Sequence, residues 1–408
     1  MRGRRRTRTA APPPRDLELE RELAEDDEDS AQELEQVGAL QSLLSDRRKL
    51  VSLGLLFVLL VGAVYVLAPK LLGLDEALSR FDDATWYWVV IAIVLNFGAF
   101  GAYVALFRGV LGGTRDDSVQ RRLDVRASYE ITMAGLAATR IFSAAGAGGI
   151  ALTYWALRKA GMPRRRSACR MVAFLVLMYS VYLIALVVFG VLLRVGVLRG
   201  EAPVGGTIVP AGVAGAIMLV FALIALIPED VERRIDSFAG GYRRKRFVRK
   251  LATGPATVST GVRTAMDYVR HPRRGALAVS GAVGFWAANI AVLWASFQAF
   301  DGNVPIAVLI QGFFVGMAAN LVPSPAGGVG SVDAGMIAAF VLFGVSTAAV
   351  FPAVLMYRVI AFWLPIPPGI VAYFQLRRTV AGWEEEGGQK VREGVYTSQS
   401  KVTAAEAT

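Results

Sequence analysis

The stretch MVAFLVLMYSVYLIALVVFGVLL at positions 171–193 contains no charged side chain. It is long enough to cross the hydrocarbon core of a bilayer as a helix, which requires about 20 predominantly apolar residues. The lipid interior offers no water to the backbone, so a spanning segment has to satisfy its peptide groups internally, as a helix does. The stretch therefore predicts that the chain is an α-helical membrane protein.

Further apolar runs on both sides of this stretch extend the prediction to an all-α, polytopic integral membrane protein with six crossings. The composition agrees, because 54% of the residues are apolar and the mean hydropathy of +0.47 is too high for an ordinary soluble domain. The last run contains four prolines and is expected to be kinked. Besides 171–193, the predicted crossings are Leu50–Leu67, Trp86–Phe107, Ile208–Ile227, Ala276–Phe297 and Ala349–Leu376.

Basic residues predict the orientation of the crossings and the limits of the membrane domain. Lys and Arg are concentrated in segments 108–126, 158–170 and 228–274, while the alternate loops contain few of them. By the positive-inside rule the rich segments are cytoplasmic, so we expect a plasma-membrane protein with both termini in the cytoplasm. The predicted domains are a disordered tail at 1–49, a membrane domain at 50–376 (halves near 50–195 and 208–376, cytoplasmic loop 228–274), and a disordered tail at 377–408.

Residue usage excludes several classes of function. The net charge of +11 comes from basic clusters beside apolar spans, which suit anionic lipid headgroups better than nucleic acid. The single cysteine, Cys169, excludes a thiolate metal site, and the single histidine, His271, lies in a basic loop and disfavours histidine-based catalysis. No Walker, nucleophile-elbow or dinucleotide-binding pattern is present. We therefore expect no enzyme activity, no metal and no cofactor.

Two apolar segments do not fit the pattern of simple crossings. Segment 129–159 has basic residues on both sides, and segment 306–344 has charge-poor flanks on both sides. A glycine-rich sequence interrupts each of them, at 138–149 and 320–333, and leaves arms of about 12 to 17 residues, or roughly 20–25 Å of helix. Such arms are too short to cross but can reach the middle of the membrane. Both segments are therefore predicted to be re-entrant helical hairpins, one from each side.

The two predicted hairpins resemble each other. Aligned with an offset of 181 residues, Gly135–Gly149 and Gly316–Gly330 match at seven of fifteen positions, including Ser143 with Ser324. Each half of the chain holds three crossings and one hairpin in the same order, and an odd number of crossings inverts the second half. The sequence therefore predicts an inverted repeat, with a substrate site where the broken helices meet near the middle of the membrane.

Glycines at the hairpin tips are candidates for backbone contact with a ligand. The free N–H groups at the start of a returning helix carry about half a positive charge, and glycine allows a ligand to approach them closely. Two such ends would suit a phosphate or a carboxylate. The alternative is that these glycines only allow tight helix packing. The candidates are Gly148, Gly149, Gly327, Gly328 and Gly330.

Three charged residues favour an anion site, because charged side chains within a membrane usually face a protein interior or a wet cavity. Arg140 precedes the first tip, Asp333 follows the second, and Arg358 lies within the last crossing. The two guanidinium groups could clamp a lipid phosphate. Asp333 could pair with Arg358, cap the returning helix or carry a proton. A purely structural pair of Arg358 with Asp333 is the alternative to a binding role.

The second hairpin resembles a known family. The sequence PSPAGGVGSVD at 323–333, followed by Tyr357 and Arg358, is similar to the signature of the flippase-like family, which includes the transmembrane region of lysylphosphatidylglycerol synthase (multiple peptide resistance factor). The usual pattern is Pro-Gly-Gly-x-Gly-x-x-Glu and then an intramembrane Arg. Asp333 stands where that pattern has Glu.

The resemblance covers roughly residues 50–380 and implies translocation of a lipid between leaflets, with Arg140, Asp333 and Arg358 as the functional positions. Relatives often have an acidic residue after the first-hairpin glycines, where this chain has the apolar sequence 150–152. Lysyl transfer would need a further catalytic domain, and only about 30 polar residues follow Arg378, so synthase activity is not expected.

The leading hypothesis is a flippase-like transporter that moves an anionic phospholipid or a polyprenyl-linked envelope lipid between leaflets. The headgroup would lie between the hairpin tips while the acyl chains remain in the bilayer. The alternative is a non-catalytic membrane subunit that supports an envelope-lipid biosynthetic enzyme, with hairpins that are only structural.

Overall fold

The computed structural model describes residues 84–111, 117–141, 147–226, 258–321 and 328–385, and every regular element within these ranges is a helix. The helices are α1 (Trp86–Leu111), α2 (Asp117–Arg122), α3 (Val125–Ile141), α4 (Ala147–Lys159), α5 (Arg164–Arg194), α6 (Ile208–Ala225), α7 (258–270), α8 (Pro272–Gln298), α9 (Ile306–Met317), α10 (Ser331–Leu342), α11 (Thr347–Arg358) and α12 (366–385). A 3₁₀ turn at Ala318–Leu321 follows α9, and a π-helical segment at Val359–Trp363 lies between α11 and α12.

Five helical runs in the described ranges are long and apolar enough to cross a membrane. They confirm the all-α, polytopic membrane fold and coincide with five of the predicted crossings. The other predicted crossing, Leu50–Leu67, lies outside the described residues together with the tail at 1–49, so the count of six crossings stays a prediction. The five runs are α1, α5, α6, α8 and the continuous stretch Thr347–Glu385.

The last crossing extends beyond its predicted end at Leu376. Helix α12 runs to Glu385 because Leu376, Val380 and Trp383, which follow a helical spacing, are all buried. The predicted disordered tail at 377–408 is therefore helical in its described part. Similarly, the described part of the predicted loop 228–274 contains α7 and the start of α8, while 227–257 lies outside the described residues.

Two pairs of short helices pack antiparallel. Helices α3 and α4 form the first hairpin, and α9, its 3₁₀ turn and α10 form the second. A Cβ at Gly149 would lie 2.5 Å from the carbonyl oxygen of Gly135, and one at Gly316 would lie 2.6 Å from Cα of Met336. The four helices have 12 to 17 residues, or about 18–26 Å, which is less than the ~30 Å of a hydrocarbon core. Re-entry from opposite sides of the membrane stays a prediction.

The antiparallel pair of α1 and α8 forms the most extensive helix contact in the described fold. These two helices are the second crossings of the two predicted halves, and an inverted repeat requires equivalent helices to run antiparallel. Glycines bring the backbones together. A Cβ at Gly109 would lie 2.4 Å from the nitrogen of Ala278, and one at Gly281 would lie 2.3 Å from the nitrogen of Leu106.

Gly281→Ala is expected to lower the free energy of unfolding by about 1–3 kcal/mol, because the added methyl group forces the backbones of α1 and α8 apart. Gly98→Ala is the matched control, since a Cβ at that position of α1 would meet nothing within 4 Å. Reversible unfolding of both variants in detergent micelles measures the difference. Equal stability of the two variants would contradict the close approach of the helices.

Candidate functional site

The candidate site surrounds the π-helical segment in the last crossing. The N–H of Leu364 donates to the carbonyl of Val359 at 3.0 Å, instead of to Ile360 as in an α-helix. The carbonyl of Ile360 accepts a hydrogen bond from Nδ2 of Asn96 on α1, at 2.8 Å. Pro365 has no N–H and follows directly, so the helix cannot continue with its regular bonds. The segment thus exposes carbonyl groups that side chains of other helices can bind.

Arg140, at the end of α3, reaches this segment from the first hairpin. Its Nη1 donates to the carbonyl oxygen of Phe362 at 2.9 Å, and its Cζ lies 5.3 Å from the centroid of the Phe362 ring. The side chain is half-buried. Within the described part of the chain, no carboxylate forms an ion pair with Arg140. Among the described residues, the groups that face its positive charge are therefore neutral: the carbonyl and the ring of Phe362, with the phenol groups of Tyr103 and Tyr357 nearby.

Arg358, at the end of α11, lies on the same aromatic ring and connects it to the second hairpin. Its Cζ is 4.3 Å from the centroid of the Phe362 ring. Its Nε lies 2.6 Å from Oδ1 of Asp333, and its Nη2 donates to the carbonyl of Gly328 at 3.1 Å. The side chain is only 5% exposed. Arg358 is thus a buried cation that holds the tip of the second hairpin against the last crossing.

Asp333 forms the ion pair and caps its helix at the same time. Its Oδ2 accepts the N–H of Gly330 at 2.9 Å, immediately before α10 begins. Gly328 and Gly330 have φ values of +93° and +84°, in the left-handed region that favours glycine. Two of the three roles considered for Asp333 therefore occur together, and the proton-carrying role stays a prediction.

The structure positions the tip glycines in different ways. Gly148 and Gly149 are buried in the first turn of α4, where Gly149 packs on Gly135, as the packing alternative predicts. In the second hairpin, the carbonyl of Gly328 binds Arg358, and Gly330 precedes α10. Gly327 lies outside the described residues. Contact between these glycines and a ligand stays a prediction.

Phe362 is the residue of this site that the sequence did not reveal. Its ring is in contact with both guanidinium groups, although the residue looks like any aromatic side chain in an apolar crossing. Its spacing of four residues from Arg358 was an available signal, because residues i and i+4 are neighbours on a helix. A phenylalanine four residues after an intramembrane arginine and three residues before a proline is a pattern that can be searched for.

The arrangement can bind an anion but offers little for covalent chemistry. Two cations and one anion meet around the Phe362 ring in the described part of the chain, and guanidinium groups recognise phosphate and carboxylate oxygens. In the described ranges, no three His, Cys, Asp or Glu side chains come together as a metal site would require. Binding and orientation of an anionic group is the chemistry that these side chains support.

Comparisons with known proteins agree on the membrane region. The family model described as the lysylphosphatidylglycerol synthase TM region matches residues 51–369. A protein named UPF0104 membrane protein, from Methanothermobacter thermautotrophicus, is 23% identical over 335 residues, which cover 77% of this chain and 94% of that relative. No solved structure matches the chain.

Proposed function

Because the chain belongs to the family of the lysylphosphatidylglycerol synthase TM region, we propose that it moves an anionic lipid between the leaflets of its membrane. The lipid is a phospholipid or a polyprenyl-linked envelope lipid whose headgroup enters between the hairpin tips. Its acyl or polyprenyl chains stay in the bilayer. The proposal includes no enzyme activity and no cofactor, and it locates the protein in the plasma membrane with both termini in the cytoplasm.

The observation that carries the proposal is the contact of two guanidinium groups with one aromatic ring inside an apolar bundle. Arg140 comes from the first hairpin and Arg358 from the last crossing, with Cζ atoms 5.3 and 4.3 Å from the centroid of the Phe362 ring. Two like charges repel, and each buried charge loses several kcal/mol of hydration. Asp333 compensates Arg358. An incoming anionic headgroup would compensate Arg140.

A membrane subunit that supports an envelope-lipid enzyme is the second candidate function. It is favoured by the contacts of Arg358 with Asp333 and Gly328, which hold the second hairpin to the last crossing whether or not a lipid binds. In that case the charged cluster is purely structural, and a partner enzyme supplies the activity. The two candidates differ in whether the purified chain alone moves lipid.

Leaflet exchange in liposomes separates the two candidates. The purified protein is reconstituted in phosphatidylcholine vesicles that contain a trace of fluorescent phosphatidylglycerol, and dithionite destroys the label in the outer leaflet. Transport is seen as loss of the protected inner-leaflet signal. We expect the protein to accelerate this loss above protein-free vesicles, whereas no acceleration across several lipid classes would favour the subunit.

The arginine variant Arg140→Gln is expected to slow the exchange by about 10- to 100-fold, since a charge-assisted hydrogen bond contributes roughly 1.5–3 kcal/mol. Arg194→Gln is the matched control. That arginine also donates to a backbone carbonyl, of Ala202 at 3.2 Å, but it is exposed in another part of the fold. The control is expected to exchange lipid at the rate of the unmodified protein. Equal loss in both variants would contradict a specific role for Arg140.

A further inference from the structure

We infer that the site selects a headgroup with one negative charge on a phosphodiester, and that Arg140 is the residue that contacts it. The inference rests on the proposed function and narrows its substrate class. Phosphodiesters, whether on a diacylglycerol or a polyprenyl chain, are favoured over phosphomonoesters and diphosphates. Arg358 acts as a positioning residue that holds the ring and the second hairpin in place.

The charge selection follows from the ionisable groups of the site. Among the described residues, Arg140 and Arg358 contribute two positive charges and Asp333 one negative charge, so one positive charge is left over. The tip sequences 142–146 and 322–327 contain no ionisable residue, and neither does the predicted first crossing at 50–67 apart from Tyr65. Glu130, on the same helix as Arg140, already binds Arg126 and Thr379.

A single negative charge would leave this site neutral, whereas two or more would leave an uncompensated anion in a medium of low dielectric constant. Leaving a buried charge uncompensated is strongly unfavourable, so the difference discriminates between headgroups. A phosphodiester carries one negative charge at neutral pH. A phosphomonoester loses its second proton near pH 6, and it is therefore mostly dianionic at pH 8.

The choice of Arg140 over Arg358 follows from the ion pairs and hydrogen bonds that each one already makes. Arg358 binds Asp333 and Gly328 and is almost completely buried. Using it for a ligand would break the ion pair that holds the start of α10. Arg140 is half-buried, and among the described residues its only hydrogen bond is the one from Nη1 to Phe362. A guanidinium group has five N–H donors in a fork that matches two phosphate oxygens.

Phe362 keeps this donor group in place. The Arg140 guanidinium is fixed by the Phe362 carbonyl at one nitrogen and lies over the Phe362 ring, so its position depends on the π-helical segment. Arg358 lies on the same ring and is anchored to the second hairpin. The headgroup-binding residue of the first hairpin is thereby coupled to the tip of the second one.

Competition in the exchange assay at pH 8 tests the selection. Short-chain phosphatidylglycerol, a phosphodiester with one charge, is expected to inhibit exchange at a concentration at least tenfold lower than short-chain phosphatidic acid, a dianionic monoester. Short-chain phosphatidylcholine is expected to inhibit weakly. A short polyprenyl monophosphate is expected to behave like phosphatidic acid, which would show that the phosphate and not the hydrocarbon tail decides.

Substitutions of the charged residues in the site test the selection more sharply than competition with the unmodified protein alone. Asp333→Asn raises the excess charge from one to two, so the preference for phosphatidylglycerol over phosphatidic acid is expected to fall at least tenfold. Arg140→Lys keeps the charge but loses the fork, so it is expected to retain the preference with weaker inhibition by both lipids. Arg140→Gln is expected to abolish the difference between anionic and zwitterionic competitors, and it decides the question if Asp333→Asn does not fold.

The outcomes distinguish the inference from the proposed function. Equal inhibition by the monoester and the diester, or an unchanged preference in Arg140→Gln, would overturn the inference while exchange itself continued. Absence of exchange of every lipid by the unmodified protein would overturn the proposed function and the inference with it. Monodispersity in size-exclusion chromatography and an unchanged circular dichroism spectrum confirm that each variant is folded.

Discussion

Asp333→Ala is expected to lower the free energy of unfolding by about 3–5 kcal/mol, and the double variant Asp333→Ala/Arg358→Met to recover most of that loss. The single substitution leaves Arg358 buried, with a side chain only 5% exposed and without its carboxylate at 2.6 Å. Methionine has a similar length and removes the stranded charge. The hydrogen bond from the N–H of Gly330 is lost in both cases, so recovery is incomplete.

Unfolding curves of the two single variants and the double variant in detergent give a double-mutant cycle for this pair. Asp267→Ala is the matched control, because that carboxylate pairs with His271 at 2.8 Å while both side chains are more than half exposed. An exposed pair contributes about 0–1 kcal/mol. If Asp333→Ala were as mild as Asp267→Ala, Arg358 would not depend on Asp333 for its charge compensation.

Phe362→Leu is expected to lower the free energy of unfolding by about 2–4 kcal/mol and to slow lipid exchange about tenfold or more. The substitution removes one aromatic ring from two guanidinium groups, and each cation–π contact contributes roughly 0.5–2 kcal/mol when it is shielded from water. Exchange slows because Arg140 loses the ring over which it lies. Stability and exchange are therefore affected together.

Phe313→Leu is the control for the loss of aromatic volume. Its ring is fully buried and packs against Trp286, Phe314 and Tyr357, with no cation over it in the described part of the chain. A double-mutant cycle of Phe362→Leu with Arg140→Gln is expected to give a coupling energy of about 0.5–2 kcal/mol. Additive effects of those two substitutions would contradict a contact between the Arg140 guanidinium and the ring.

The sequence was sufficient to predict the five long apolar helices of the described residues and to name Asp333 and Arg358 as a possible pair. Apolar runs of the required length are unambiguous in a chain whose charges are confined to short segments, and five predicted crossings coincide with long apolar helices. Asp333 and Arg358 were named as a possible pair because each is a charge in an apolar region. The structure brings the two side chains together, with 2.6 Å between Nε of Arg358 and Oδ1 of Asp333.

Three amide side chains within the apolar helices bind partners on distant segments of the chain. Nδ2 of Asn96 binds the carbonyl of Ile360, Nε2 of Gln311 binds that of Gly206 at 2.9 Å, and Oδ1 of Asn289 accepts from the hydroxyl of Tyr357 at 3.3 Å. The sequence could not name the partners, because a polar residue in an apolar run reveals its need for a partner but not its neighbours.

Features that depend on packing between distant segments could not be predicted. Glu130 is 1% exposed, Thr379 of α12 donates to its Oε2 at 2.7 Å, and Arg126 pairs with its Oε1. The contact joins residues 249 positions apart. In the same way, the prolines of the last crossing predicted a kink, but not a π-helical segment whose carbonyls bind Asn96 and Arg140.

Measurement of the membrane depth of the two hairpin tips tests the central claim most directly, since that claim is that both tips lie inside the bilayer beside Arg140 and Arg358. In a Cys169→Ala background, spin labels are attached to Ile150→Cys in the first hairpin and Leu321→Cys in the second, at side chains that are exposed in the structure. Collision with oxygen and with a water-soluble nickel chelate reports the depth of each label. We predict that both labels lie near the bilayer centre, about 15 Å from either edge of the hydrocarbon core. Labels at opposite membrane surfaces, about 30 Å apart along the membrane normal, would contradict a shared site.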